Sequence, residues 1–234
     1  MSNVVIDPLT GSQMEYGDLI KDTKLQETWT TSMANELVRL SQGLGEQIPT
    51  GSDTVHFISK DGVSEGNFAM YVRILCKIRP QKVEIRCTRL TVGGNLIKYP
   101  HNVITTMTDI SAAKFLINSV ISTLNEYLCG ADIKNIYLFT PMDTFEYMGI
   151  KLLLVHKEII QQYQLADKIH NCFIYMEIRK DIYGFPQAGI IVHAQLKEHL
   201  APFGCKPFQY TTGPWEHENR VTKLYLVVNN CDIK

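Results

Sequence analysis

Gly130-Ala131-Asp132-Ile133-Lys134-Asn135-Ile136-Tyr137-Leu138 is the stretch on which the reading of this chain turns. Before it, Leu116, Val120, Leu124 and Leu128 recur at helical spacing, with Ile117 and Ile121 beside them and Asp109 at the start. That pattern predicts a helix over 109–129, closed by Gly130. The apolar run after it predicts a strand over 132–139. Taken alone, Asp132 at the start of such a strand reads as a cap or turn residue. Two other stretches belong with it. Tyr183-Gly184-Phe185-Pro186-Gln187-Ala188-Gly189 reads as a helix opening with proline in the first turn. Leu226-Val227-Val228-Asn229-Asn230 reads as the end of a strand running into a hairpin turn.

Outward from there the pattern is mixed. Residues 1–22 are polar, hold Pro8, Gly11 and Gly17, and read as a flexible leader. Thr23 and Gln26 have capping-box spacing, and Leu25, Trp29, Met33, Leu37 and Leu40 make the apolar stripe of a helix ended by Gly43 and Gly45. Strands are predicted at 54–58, 67–78, 82–92, 146–155, 171–178 and 222–228, with Pro141 in a turn. Helices are predicted at 157–166 and 187–201, the second turning Ile190, Ile191, Leu196 and Leu200 inward. Strands and helices without regular alternation argue for an α+β fold, read as one region over 23–234 behind the leader.

Composition narrows the function classes. The 234 residues are 45% hydrophobic, enough for a sizeable core, and the net charge of -1 does not by itself favour nucleic acid. The distribution says more: residues 1–70 hold ten acids and four bases, whereas residues 71–100 hold seven bases against Glu84. Such a run is a solvated strand face or a patch that meets phosphates. Six cysteines without CxxC spacing suggest reduced thiols in a cytoplasmic or nuclear protein rather than a secreted one. No HExxH-type histidine pair, third glycine after Gly43-Leu44-Gly45, signal peptide or membrane-length apolar run is present in the sequence.

Order and spacing of the longer segments carry a resemblance. IRPQKVEIRCTRLTVGGNLIKYP (78–100), LINSVISTLNEYL (116–128), DIKNIYLFTPMDTFEYMGIKL (132–152) and EIRKDIYGFPQAG (177–189) resemble the reverse transcriptase region of LTR-retrotransposon Pol polyproteins of the copia type. The likeness runs from about Glu15 to the last residue. It implies the fingers and partial palm of a right-hand polymerase fold. The implied partners are an RNA or DNA template-primer and deoxynucleoside triphosphates, with magnesium as cofactor. Two metal ions would activate the primer hydroxyl and steady the leaving diphosphate. By position, Asp132 matches the first metal aspartate, and the Ile133 carbonyl would lie beside a metal. The amides of Asn135 and Ile136 would face the triphosphate. Tyr137 matches the bulky group that rejects a ribose hydroxyl, Gln187 the glutamine bordering the nucleotide, and Arg89 a fingers base that meets phosphates.

The likeness breaks at the metal site. The family pattern VVDDFGVK is here VVNNCDIK, so Asn229 and Asn230 stand where the paired catalytic aspartates should be. Asparagine offers a neutral carbonyl oxygen and no charge. Asp232, two residues on, is expected to point differently and to substitute poorly. Asp181 and Ile182 replace the family's Gly-Met, and an aspartate at a glycine position would strain a backbone of positive φ. Most of these changes, Phe→Cys at 231 excepted, are reachable by single G-to-A transitions. The chain stops six residues after its last predicted strand, which implies that the thumb and the ribonuclease H, protease and integrase portions are absent. The expectation is a retrotransposon-derived polymerase domain without activity; the alternative is a non-enzymatic remnant or reused domain that binds nucleic acid or protein.

Overall fold

Apolar and β-branched residues at alternate positions of 70–78 and 86–92 zip into an antiparallel pair, β2 (Met70–Ile78) with β3 (Arg86–Val92). A computed structural model describes residues 4–46, 48–94, 97, 110–133, 135–209, 213–227 and 230–233, with backbone alone at Ile110, Asp132, Leu226, Val227 and Asn230–Asp232. The chain is α+β and divides into two units, one of Met1–Ile97 with Pro141–Phe185, the other of Lys98–Thr140 with Pro186–Lys234.

The first unit is built on a five-stranded sheet. Its other strands are β1 (Val55–Ile58), β5 (Pro141–Lys151) and β6 (Phe173–Lys180), in the order β1-β6-β5-β2-β3. All pairings are antiparallel except β2 with β5, where Met70 meets Met148. Ile174, Met176 and Ile178 alternate along β6 and are fully buried, the period-2 signature of a strand with one face in a core. Helix α2 (Gln26–Leu40) buries Trp29, Met33, Leu37 and Leu40. It lies against β3, where Ser32 Oγ accepts the Thr88 amide at 3.0 Å and donates to the Arg86 carbonyl at 3.2 Å. Each large apolar side chain so buried contributes about 1.5–3 kcal/mol.

Several boundaries differ from expectation. The Thr23–Gln26 capping box does not form; Asp22 accepts the Lys24 amide instead, and its carbonyl takes the Leu25 and Gln26 amides. The leader supplies core: Tyr16 and Leu19 on the short helix α1 (Tyr16–Leu19) are buried, as is Val5, and Val4 bridges to Lys77. Pro141 begins a strand rather than lying in a turn, with a bulge before Glu146 absorbing the irregularity. The helix predicted at 157–166 is α4 (Lys157–Gln162).

The second unit carries α3 (Ile110–Ser122), α5 (Ala188–Leu200) and an antiparallel sheet of β4 (Cys129–Asp132), β7 (Cys205–Pro207), β8 (Pro214–His217), β9 (Lys223–Val227) and β10 (Asn230–Ile233). The order is β4-β10-β9-β8-β7. Among the described residues the unit buries Leu116, Leu138, Val192 and Trp215, and His193 meets the Trp215 ring edge-on at 5.6 Å. The expected helix over 109–129 stops at Ser122; Asn125 takes a left-handed φ of 64°, and Leu124 and Leu128 are exposed rather than part of an inward stripe. On α5 it is Val192 that is buried, while Ile190, Ile191, Leu196 and Leu200 are half-buried.

Candidate functional site

The hairpin at the end of the chain meets the strand that ends in Asp132. β10 pairs antiparallel with β4, and the register sets Asn230 opposite Asp132, Cys231 opposite Ala131 and Asp232 opposite Gly130. On its other edge β10 pairs with β9, where Asn230 opposes Val227. Opposed residues of an antiparallel ladder hold their Cα atoms about 4.5–5.5 Å apart. Asn229 lies outside the described residues, as does Asp109. In the backbone register Asp232 is set opposite Gly130 rather than opposite Asp132. It sits one ladder step further on, about 7 Å along the strand.

The chain beyond β4 does not continue as the expected strand. Asn135 adopts a left-handed φ of 56°, a conformation asparagine tolerates better than most residues. Ile136 then turns into a 3-10 segment, Tyr137–Phe139. The Thr140 amide donates to the Tyr137 carbonyl at 3.0 Å, and Thr140 Oγ1 donates to the Ile136 carbonyl at 2.9 Å. Ile133, Asn135, Ile136 and Tyr137 are all half-buried. Gln187 caps α5: its carbonyl accepts the Ile190 and Ile191 amides at 3.0 and 3.2 Å. Its side chain is buried, and Oε1 meets no hydrogen-bond partner among the described residues.

Magnesium needs anionic oxygens, and the donor set tests whether it fits. The position opposite Asp132 is an asparagine, so the ladder pairs one carboxylate with one neutral amide rather than with a second carboxylate. Among the described residues no group of three or more His, Cys, Asp or Glu is arranged to hold a metal ion. By residue type this ladder pair supplies one anionic donor.

In the first unit the basic stretch resolves into two kinds of cation. Glu84 takes Arg39 through two contacts of 3.0 and 3.1 Å and Arg79 at 3.2 Å, so Arg79 is neutralised within the fold. By the β2–β3 register Arg73 opposes Thr91, Leu75 opposes Arg89 and Lys77 opposes Cys87, so Arg73, Lys77 and Arg89 share one face with exposed Tyr71. All three cations are exposed. Among the described residues no carboxylate forms an ion pair with them. The Arg89 guanidinium lies 4.7 Å over the Tyr183 ring. Lys98 lies outside the described residues.

Tyr183 belongs to a turn seated on the free edge of β3. The Val92 amide donates to the Tyr183 carbonyl at 3.1 Å. Gly184 has φ +109°, and a Cβ there would stand 2.5 Å from the Val92 carbonyl oxygen, so only glycine fits. Two residues before Tyr183, Asp181 is fully buried; its Oδ1 accepts the Ile182 amide at 2.9 Å and Oδ2 meets no partner among the described residues. Burial pushes this carboxyl up to about 7. The positive φ expected at this position is absent; the cost of Asp181 lies in desolvation. Only the unusual Asp-Ile before Tyr-Gly hinted at it in sequence.

No protein-family model matches this chain, and no curated protein matches it.

Proposed function

We propose that this chain is a polymerase domain of retrotransposon descent, the fingers and part of the palm of a reverse transcriptase, that does not polymerise. The observation that carries the reading is the ladder pair Asp132–Asn230: where the resemblance calls for a second carboxylate, the strand sets Asn230 opposite Asp132. The order of the long segments supports descent from a reverse transcriptase, and the donor chemistry supports loss of function. On this reading Gln187 and the 133–137 turn are what remains of a nucleotide pocket, without a metal pair to work with. Primer extension by the purified chain, beside the double variant Asn229→Asp with Asn230→Asp, tests it.

A second reading has its own support. Arg73, Lys77 and Arg89 lie on one sheet face, exposed, beside an exposed aromatic ring. That is a surface able to meet a phosphate backbone through charge, with weak sequence preference. A domain kept for binding nucleic acid would need this face and not the metal site.

A further inference from the structure

Asp181 has no counterpart in either of those readings, and its environment is unfavourable for a carboxylate. It follows directly on β6, is fully buried next to fully buried Ile182, and has one oxygen satisfied and the other orphaned. Several charged groups on adjoining elements are engaged elsewhere. Lys180 Nζ donates to the Ser52 carbonyl at 2.6 Å, Arg179 pairs with Glu177 at 2.7 Å and lies over Phe145, and Asp53 pairs with His56 at 2.9 Å. Arg89 lies over Tyr183, and Glu146 on β5 is itself raised by burial. Among the described residues no ion pair reaches the Asp181 carboxyl.

A buried carboxyl without a counter-charge is tolerated as the neutral acid and penalised as the anion. The relief open to the anion is water, and water reaches it when the turn that follows, which carries buried Ile182 and Phe185, is displaced. That turn meets β3 through the Val92–Tyr183 backbone hydrogen bond, the close approach of Gly184 to Val92 and the Arg89–Tyr183 stack, among other contacts. Local openings of this kind cost less than unfolding of the whole fold.

We propose that Asp181 is a proton-operated latch: with its carboxyl protonated the 181–185 turn stays seated on β3, and when the proton leaves the turn lifts from Val92 and frees Arg89. The sign follows from linkage. The carboxyl titrates high when seated, at about 7, and in the ordinary carboxylate range when open. The opening equilibrium therefore rises about tenfold per pH unit across the interval between the two values and levels off above the seated one. The latch stands apart from the polymerase reading and does not need it.

Hydrogen exchange of the Val92 amide in the full chain, corrected for the intrinsic pH dependence, tests it. Its protection should fall about tenfold per pH unit from pH 5 to 7 and then flatten, while remaining at least about tenfold below that of the slowest amides of the β5–β6 ladder. In Asp181→Asn the fall should vanish. Flat protection in the unaltered chain, the same fall in the Asn variant, or Val92 exchange matching the slowest core amides would overturn the proposal. Should the variant not fold, a carbon-13 titration of the Asp181 carboxyl in the unaltered chain decides: a midpoint near 7 supports the latch and one below 5 sinks it.

Discussion

At the residue scale the burial of Asp181 has a consequence for stability that can be read from global unfolding. Its folded-state pKa, about 7, lies above the ordinary 3.8, so the protonated form is the one the fold prefers. Stability is fully present below the unfolded value and is lost as pH rises through the folded one. The ceiling of the loss is about 4 kcal/mol, at about 1.36 kcal/mol per unit. Asp181→Asn keeps the shape and removes the charge, and it should raise stability at pH 8 by on the order of 2 kcal/mol while leaving pH 4 nearly unchanged. Urea unfolding at the two pH values checks this; an equal effect at both would show that ionisation is not the cost. The sequence pointed to position 181 as a departure from a glycine pattern but named the wrong cause, because burial of a single side chain is decided by packing that no local pattern records.

At the element scale, what the sequence made readable follows period. β6 alternates cleanly and α2 carries its stripe through Trp29, Met33, Leu37 and Leu40, while β2 and β3 alternate in part and were readable by their β-branched and apolar content; all four lie within a few residues of expectation. β7, three residues long, and β8, which begins with Pro214, are too short for a period to show and were missed. The α3 stripe continued past the helix itself, because Leu124 and Leu128 keep the spacing while Asn125 leaves the helical conformation. The strand expected over 132–139 failed for a similar reason: Ile133, Ile136 and Leu138 look like strand residues, yet Asn135 turns the backbone. The seat of the 181–185 turn on β3 gives this scale its prediction. Gly184→Ala must place a Cβ against the Val92 carbonyl at positive φ, and should cost about 2–3 kcal/mol in urea unfolding. A loss within about 0.5 kcal/mol, the range of ordinary surface changes, would mean the turn is not held there.

At the scale of the whole molecule two surfaces remain to be measured. The sequence put seven bases in 71–100 without saying which were free, since ion pairs with distant residues such as Arg39–Glu84 are not visible in a linear stretch. With Arg73, Lys77 and Arg89 on one face, binding to duplex DNA should be weak, with a log–log salt slope near about -2.7 for about three phosphate contacts. The triple variant to glutamine should flatten that slope. Arg79→Gln should change it least, because Glu84 already holds that guanidinium. Binding that ignores salt, or depends chiefly on Arg79, would remove the assignment.

The proposed function holds that a polymerase site, if the chain descends from one, is disabled where Asp132 is set opposite Asn230. RNA-templated primer extension with magnesium measures it most directly. The account predicts no extension above background by the unaltered chain: two anionic metal ligands replaced by neutral amides should cost at least about 5 kcal/mol of transition-state stabilisation, roughly four powers of ten in rate. Robust, magnesium-dependent extension by the unaltered chain, lost on Asp132→Asn, would contradict it.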